Sequence, residues 1–243
     1  MNVNQLAKNC IYLSLLIACF AFAFKKKSPA VLVFSKTNGY RHKSIPAGIA
    51  AIKKLGSEND FTVNDTEDSL AFTTENLAKY KAVIFLSPTG DVLGDEQQKA
   101  LENFIQRGGG FVGIHAATDC EYNWPWYVKM VGASFLSHPA QQVARLIVTD
   151  KDNLATKHLP DSWERKDEWY NFKNMNPDVH VLLKIDETSY EGGKNGDHHP
   201  MAWYHAYDGG RAFYTELGHT DESFSETAYL QHLLGGIRYA LKK

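Results

Sequence analysis

Uninterrupted apolar runs alternate with amphipathic stretches through the first half of the chain, and this rhythm predicts its elements. Ala30-Val31-Leu32-Val33-Phe34 and Ala82-Val83-Ile84-Phe85-Leu86 contain no polar position, the pattern of strands buried on both faces of a parallel sheet. Between them, Ser44 to Gly56 carries Pro46 near its start and Ile49, Ile52 and Leu55 at helical spacing, which predicts a crossover helix. Phe61-Thr62-Val63 predicts a short second strand, and Thr74 to Lys79 a helical turn. Asp95 to Arg107 predicts another helix, with Asp95 as its cap, Ala100, Leu101, Phe104 and Ile105 on one face, and Gly108 as a left-handed terminus. It leads into Gly108 to Asp119, read as a buried strand over Phe111–Ile114 that ends in a sharp turn presenting His115.

After Trp124-Pro125-Trp126 the texture changes. Val143 to Val148, Val179 to Ile185, Met201 to Tyr207 and Arg211 to Leu217 alternate more and predict strands that flank or extend the sheet. Ser225 to Leu241 places Tyr229, Leu233, Ile237 and Leu241 near helical spacing and predicts a closing structural helix. The whole pattern is α/β: a mostly parallel sheet flanked by helices, with additional antiparallel strands in the C-terminal half.

Composition narrows the class. A chain of 243 residues, 44% apolar and 22% charged, supplies one substantial core, so residues 28–243 are read as a single domain. A net charge of −2 without a basic stripe argues against a nucleic-acid partner. Residues 1–27 read as a signal: Lys8 precedes an apolar run from Ile11 to Phe24, shorter than the roughly 20 residues that span a bilayer. Leu16-Ile17-Ala18-Cys19 resembles a lipoprotein box, Ala21-Phe22-Ala23 offers an ordinary cleavage site, and Lys25-Lys26-Lys27 leaves an uncleaved anchor open. The expectation is an exported protein, periplasmic or lipid-anchored at the outer membrane, with that anchor as its only membrane contact. Cys10 and Cys19 fall in this segment and Cys120 stands alone in the body, so no disulfide framework is expected; Cys120 reads as a small buried hydrophobe, with a reactive thiol as the alternative.

Ligands of open α/β sheets gather at the carboxyl ends of strands, which singles out Tyr40, Arg41 and His42 after the first strand, His115, Thr118 and Asp119 after the fourth, and His219 after the last. His42, His115 and His219 can share a divalent metal, zinc or similar, or serve as acid and base near neutral pH; the alternative for each is a histidine that satisfies backbone groups. Asp167-Glu168-Trp169-Tyr170-Asn171-Phe172 mixes a carboxylate with aromatic rings, as sugar sites do, or else is a strand whose Trp169 and Phe172 pack inward while Glu168 is solvated. Trp124, Trp126, Tyr122 and Tyr127 admit the same two readings. His199, in the Asp197-His198-His199-Pro200 loop, is a further ligand candidate, whereas His138, His158, His180, His205 and His232 lack supporting context. No Gly-x-Gly-x-x-Gly or Walker pattern follows a strand, so no nucleotide cofactor is expected.

Taken together, Phe34-Ser35-Lys36-Thr37-Asn38-Gly39-Tyr40-Arg41-His42, Gly108 to Ala117, Pro200-Met201-Ala202-Trp203, and Gly210-Arg211 with Leu217-Gly218-His219 make the chain resemble the ThuA-like, or trehalose-utilisation, proteins. The resemblance implies the flavodoxin-like fold of class I glutamine amidotransferases. Those enzymes carry a cysteine nucleophile at the elbow and a histidine after a late strand; His219 matches the second, but His115 stands where the cysteine would be, which removes the nucleophile for glutamine hydrolysis. The implied function is carbohydrate metabolism on a small sugar or oxidised sugar derivative, by a hydrolase or by a lyase or isomerase. His115, His219 and Glu168 are the expected catalytic residues, and Arg41, His42, Thr118, Asp119, Tyr170, His199 and Trp203 the expected substrate contacts. A non-catalytic sugar-binding module on the same scaffold is the alternative.

Overall fold

The structure is a computed structural model in which residues 28–243 are described. The signal, lipoprotein and anchor readings, with Cys10 and Cys19, fall outside the described residues. Among the described residues no helix is long and apolar enough to cross a membrane.

The apolar runs become strands β1 (Ala30–Phe34), β3 (Ala82–Leu86) and β4 (Gly110–Ile114); the last two are buried along their whole length. β2 (Thr62–Thr66) lies at the edge, with mostly polar, partly exposed positions, as an edge strand allows. The crossovers are α1 (Ile45–Glu58), α2 (Thr74–Leu77) and α3 (Asp95–Gln106). α3 begins at the expected cap itself: Gly94, one residue earlier, holds the cap position without a side-chain hydrogen bond, and Asp95 joins the first turn, where its charge suits the helix dipole. Gly108 does end this helical segment at φ +90°.

The second half holds α4 (Pro125–Val131), β5 (Ser134–Ser137), β6 (Gln142–Val148), β7 (Ser162–Asp167), β8 (Asn171–Lys173), β9 (His180–Ile185), β10 (Pro200–Tyr207), β11 (Gly210–Thr215) and α5 (Thr227–Leu241). A nine-stranded sheet runs in the order β2-β1-β3-β4-β11-β10-β9-β6-β7, and β5 pairs with β8 in a separate ribbon. β2, β1, β3, β4 and β11 are parallel, in the 2-1-3-4-5 order of flavodoxin-like sheets with β11 in fifth place. From β11 outward every pairing is antiparallel.

Successive residues of β11 show how the core divides. Phe213 faces α5, where a Cβ at Gly236 would lie 2.3 Å from its ring, while Tyr214 faces the opposite layer and stacks on Trp203 at 4.4 Å. Phe85 and Phe111 meet Tyr127 of α4 at 5.7 and 5.8 Å between ring centres, which closes that second face.

Candidate functional site

Four strand ends converge on one point above the parallel half of the sheet. The loop after β1 brings His42, β4 ends at His115, the turn after β11 brings His219, and β7 delivers Glu168 from the antiparallel half. His115 takes φ +50° directly after the extended Ile114, so the strand breaks into a 3-10 turn, His115–Thr118, and the imidazole is held beneath the loops. A histidine at positive φ carries backbone strain of about 1–3 kcal/mol, the kind that surrounding structure sustains at functional sites.

His219 is positioned by a turn that only glycine fits: Gly218 has φ +115°, and a Cβ there would come within 2.7 Å of the Tyr229 hydroxyl. The Asp167 carboxylate accepts from the backbone N–H groups of Gly218 at 3.1 Å and His219 at 3.2 Å. Arg165 steadies that carboxylate at 3.0 Å and also reaches Glu226 at 3.0 Å and the Ser223 hydroxyl at 2.9 Å. β7 therefore ends in two consecutive carboxylates with different tasks, Asp167 anchoring the His219 turn and Glu168 entering the cluster.

Inside the cluster the rings of His42, His115 and His219 stand nearly edge to face, with centres 4.7 Å apart for His42–His115 and 5.1 Å for the other two pairs. His115 Nδ1 lies 2.7 Å from the Glu216 carbonyl oxygen, which can only accept, so Nδ1 carries the proton and Nε2 presents a lone pair. That Nε2 lies 3.1 Å from His219 Nδ1, and Glu168 Oε2 lies 3.1 Å from His219 Nδ1 and 3.5 Å from His115 Nε2. His42 Nδ1 is buried without a hydrogen-bond partner among the described residues. Burial, reinforced by the neighbouring His115 and His219, lowers the pKa of His42 to about 3, so the ring is neutral. Burial alone would raise the Glu168 carboxyl, but the adjoining His115 and His219 imidazoles outweigh it and hold the group below the usual carboxylate range.

One ligand atom from each of His42, His115, Glu168 and His219 lies within 4.8 Å of the others, so this group can hold a metal ion. The donor set fits: neutral imidazoles and an ionised carboxylate suit zinc and related divalent transition metals, and His115 has the carbonyl-fixed tautomer usual for a metal ligand.

Three members of the cluster, His42, Glu168 and His219, line the floor of a 380 Å³ cavity, with His115 buried beneath them, and its walls include Tyr40, Asp119, Phe135, His138, Gln141 and Tyr170. Tyr170 packs on His115 at 4.5 Å and on Phe135 at 4.4 Å, and its deep burial pushes the phenol well above its ordinary pKa. Asp119 is half-buried; burial raises its carboxyl against the opposing hydrogen bond from the Tyr122 hydroxyl at 2.5 Å. His138 Nδ1 reaches Glu168 Oε1 at 3.2 Å.

Of the residues singled out in the sequence, His42, His115, Glu168 and His219 meet in the cluster, and Asp119 and Tyr170 line the cavity. Four expected substrate contacts lie elsewhere. Arg41 is exposed and pairs with Glu67 at 2.6 Å. Thr118 is buried against the Tyr214 hydroxyl at 3.0 Å. His199 is buried behind the wall, its Nε2 donating to the Tyr170 carbonyl at 2.8 Å and its Nδ1 lying 2.7 Å from Glu187. Trp203 is a core residue whose indole N–H donates to the Val131 carbonyl at 2.8 Å. The bland reading of the Asp167–Phe172 segment holds for Trp169 and Phe172, which pack inward, and fails for Glu168, which is buried in the cluster. Trp124 and Trp126 stack on each other at 5.2 Å away from the cavity. Cys120 is buried beside the Tyr127 hydroxyl at 3.3 Å, and burial pushes its thiol up, which disfavours a thiolate nucleophile.

Phe135, His138 and Gln141 were not singled out as cavity residues, because nothing in the pattern predicts β5 or the course of the loop after it. Asp167 directly precedes Glu168, and a second consecutive carboxylate in that segment is the sequence signal that marks it. Tyr40 lies within the strand-end group and reaches the cavity where its neighbour Arg41 does not.

Comparison with known proteins gives a family model, described as trehalose utilisation, that matches residues 30–240. Among solved structures, a ThuA-like protein from Bacteroides uniformis is similar at 26% identity and a TM-score of 0.75, over 90% of this chain and 94% of that one. Another from Parabacteroides merdae has 20% identity and a TM-score of 0.74 over 89% and 91%. A β-galactosidase from Bacillus circulans shares the fold over 87% of this chain but 31% of its own, at 14% identity and a TM-score of 0.57. No curated protein matches.

Proposed function

The chain belongs to the ThuA, or trehalose utilisation, family, and from that premise we propose that it is a metal-dependent enzyme of carbohydrate utilisation that removes a proton beside the carbonyl of an oxidised sugar. The observation that carries this reading is the convergence of His42, His115, Glu168 and His219 beneath a cavity that His42, Glu168 and His219 line. A divalent metal held by these four residues supplies Lewis-acid polarisation of a sugar oxygen.

The remaining chemistry belongs to side chains. Asp119, with its carboxyl raised by burial, is the proton acceptor on the cavity wall, and the Tyr122 hydroxyl holds it in orientation. Phe135, backed by the buried Tyr170, presents an apolar face to a sugar ring, and Tyr40 and Gln141 offer polar groups to its hydroxyls. Hydrolysis by paired carboxylates fits less well: Glu168 and Asp119 are the carboxylates lining this cavity, and Glu168 is occupied by His115, His138 and His219. The N-terminal apolar run supports export of the protein.

Elemental analysis of the purified protein and of His115→Ala tests the reading first. Stoichiometric metal in the wild type that is lost in the variant is the expected result. Solvent-deuterium exchange into keto-sugars, followed by NMR, then tests the chemistry: Asp119→Asn is expected to slow exchange by about 10²–10⁴-fold and to abolish the acid limb of the pH profile, which in the wild type lies above the ordinary aspartate range. A metal-free wild type whose sugar binding survives His115→Ala would instead establish a non-catalytic binding module.

A further inference from the structure

The cluster occupies the carboxyl end of the parallel sheet, and a cavity of 180 Å³ lies at the other end, where α2 and α3 meet the starts of β3 and β4. Its apolar lining is Leu77, Tyr80, Ala100 and Phe104; Thr74, Lys81, Asn103 and Arg107 supply polar groups, and no carboxylate takes part. Lys81 directly precedes β3 and Gly109 directly precedes β4. The Gly110 N–H ties the two strand starts together by donating to the Lys81 carbonyl at 3.0 Å. β4 then runs its 5 residues to His115, roughly 16 Å on, so cavity and cluster stand at opposite ends of one buried strand.

We propose that this cavity binds a small carboxylic acid with a compact apolar body, at a site separate from the metal cluster. Its two cations are unspent. The neighbouring Lys79 reaches Asn76 Oδ1 at 3.1 Å and Lys99 pairs with Glu102 at 2.9 Å, whereas Lys81 and Arg107 have no ion-pair partner among the described residues. In other cavities the cation is balanced: Lys43 shares its lining with Asp221 and Glu222, and Lys184 with Asp186, Glu187 and Asp197. An acceptor with a full negative charge is the group that the cavity beside Lys81 and Arg107 lacks.

Volume sets the size of the ligand. An apolar cavity of about 150 Å³ holds a benzene ring, so 180 Å³ admits one ring or a short branched chain. The backbone sets the kind of anion. Phosphate sites at glycine turns use free backbone N–H groups, and here those groups are occupied: Gly108 donates to the Ile105 carbonyl at 2.8 Å and Gly109 to the Phe104 carbonyl at 3.0 Å. The same two bonds satisfy carbonyls at the end of α3, so these do not compete for the cations. Side-chain charge remains, with the Arg107 fork shaped for both oxygens of a carboxylate and Lys81 as a second positive centre. Lys81 and Arg107 are exposed while Leu77, Tyr80 and Ala100 are buried, which places the acid group at the mouth and the apolar body inside.

Calorimetric titration of the purified protein with sodium benzoate, sodium isobutyrate, benzamide and inorganic phosphate tests the proposal. At least one of the two acids is expected to bind with a Kd of about 0.1–1 mM, the affinity open to a ligand of so few atoms, and benzamide and phosphate at least about tenfold more weakly. Lys81→Gln and Arg107→Gln, at exposed positions, are each expected to weaken the acid about threefold or more, and His115→Ala to leave it unaltered. Amide NMR shifts on addition of the acid are expected at Gly108 and Gly109, which reads the placement without any substitution. Binding that is lost in His115→Ala but kept in both charge variants, or that leaves the two glycine amides unmoved, would put the acid elsewhere and overturn the site. Benzamide as tight as benzoate would show a neutral apolar cavity, phosphate as tight as benzoate would show an unselective pair of cations, and absence of binding by both acids would remove the ligand class; each of these results overturns the proposal.

Discussion

The two halves of the sheet contribute to the site in different ways. The parallel half, β2-β1-β3-β4-β11, supplies His42, His115 and His219 from the carboxyl ends of its strands, where loop backbone must leave the sheet and side chains face one crevice. The antiparallel half supplies Glu168 from the end of β7 and, through the segments that fold back beside it, the walls Phe135, His138, Gln141 and Tyr170. The parallel half thus determines where chemistry can occur, and the antiparallel half determines which charge completes the cluster and what shape of ligand is admitted.

The largest expected effects separate these roles. His115→Ala removes a donor fixed by the central strand, and we expect metal to be lost and turnover to fall by at least about 10³-fold. Asp167→Asn acts from the other half without touching the ligand. It weakens the hold on Gly218 and His219 N–H and leaves Arg165 with one carboxylate partner, Glu226. We expect metal affinity to fall about 10–100-fold, as for other groups that orient a ligand, with a stability loss on the order of 3 kcal/mol from the under-paired buried guanidinium. Metal titration and denaturant unfolding of the same variant read both. Metal affinity unchanged in a destabilised Asp167→Asn would show that the antiparallel half holds the fold without positioning His219.

The same division explains what could be read from the sequence. β1, β3 and β4 are legible because strands covered on both faces exclude polar residues, and the histidines that follow them stand out at once. β7 reads Ser-Trp-Glu-Arg-Lys-Asp, alternating exposed and buried, and its buried positions include Arg165 and Asp167, so the pattern resembles a polar loop. The charges are buried because they satisfy one another and the His219 turn, a tertiary fact that no local pattern encodes. β5 and β8 are too short for a periodicity to show, which hides His138 and Gln141. Trp203 differs again: the family motif marks it, and the structure makes it a core plank that stacks on Tyr214 and donates to the Val131 carbonyl.

That residue gives a prediction of middle size. Trp203→Leu removes the stacking on Tyr214 and the hydrogen bond to Val131 from a site with no exposure, and about 2–4 kcal/mol of stability should be lost. Sugar affinity of the folded variant should stay within about twofold, since Trp203 does not line the cavity; a tenfold loss at unchanged stability would return it to the ligand.

The smallest effect is the sharpest test of how the loop after β1 is built. Tyr40, Arg41 and His42 are consecutive, and their side chains divide: Tyr40 to the cavity, His42 to the cluster, and Arg41 outward to Glu67. The Arg41–Glu67 contact is short, at 2.6 Å, but both side chains are about half exposed, at 47% and 51%, so water and salt screen the attraction. Arg41→Ala should therefore change stability by no more than about 0.5 kcal/mol, less at high salt, and leave sugar affinity unaltered. The measurement has force because Arg41 is the one cation in this triplet and the residue most readily assigned to hydroxyl or anion recognition from sequence. A tenfold loss of sugar affinity would mean that its guanidinium leaves Glu67 and turns inward on binding, and the division between the residues facing the site and the one facing solvent would then hold only for the empty loop.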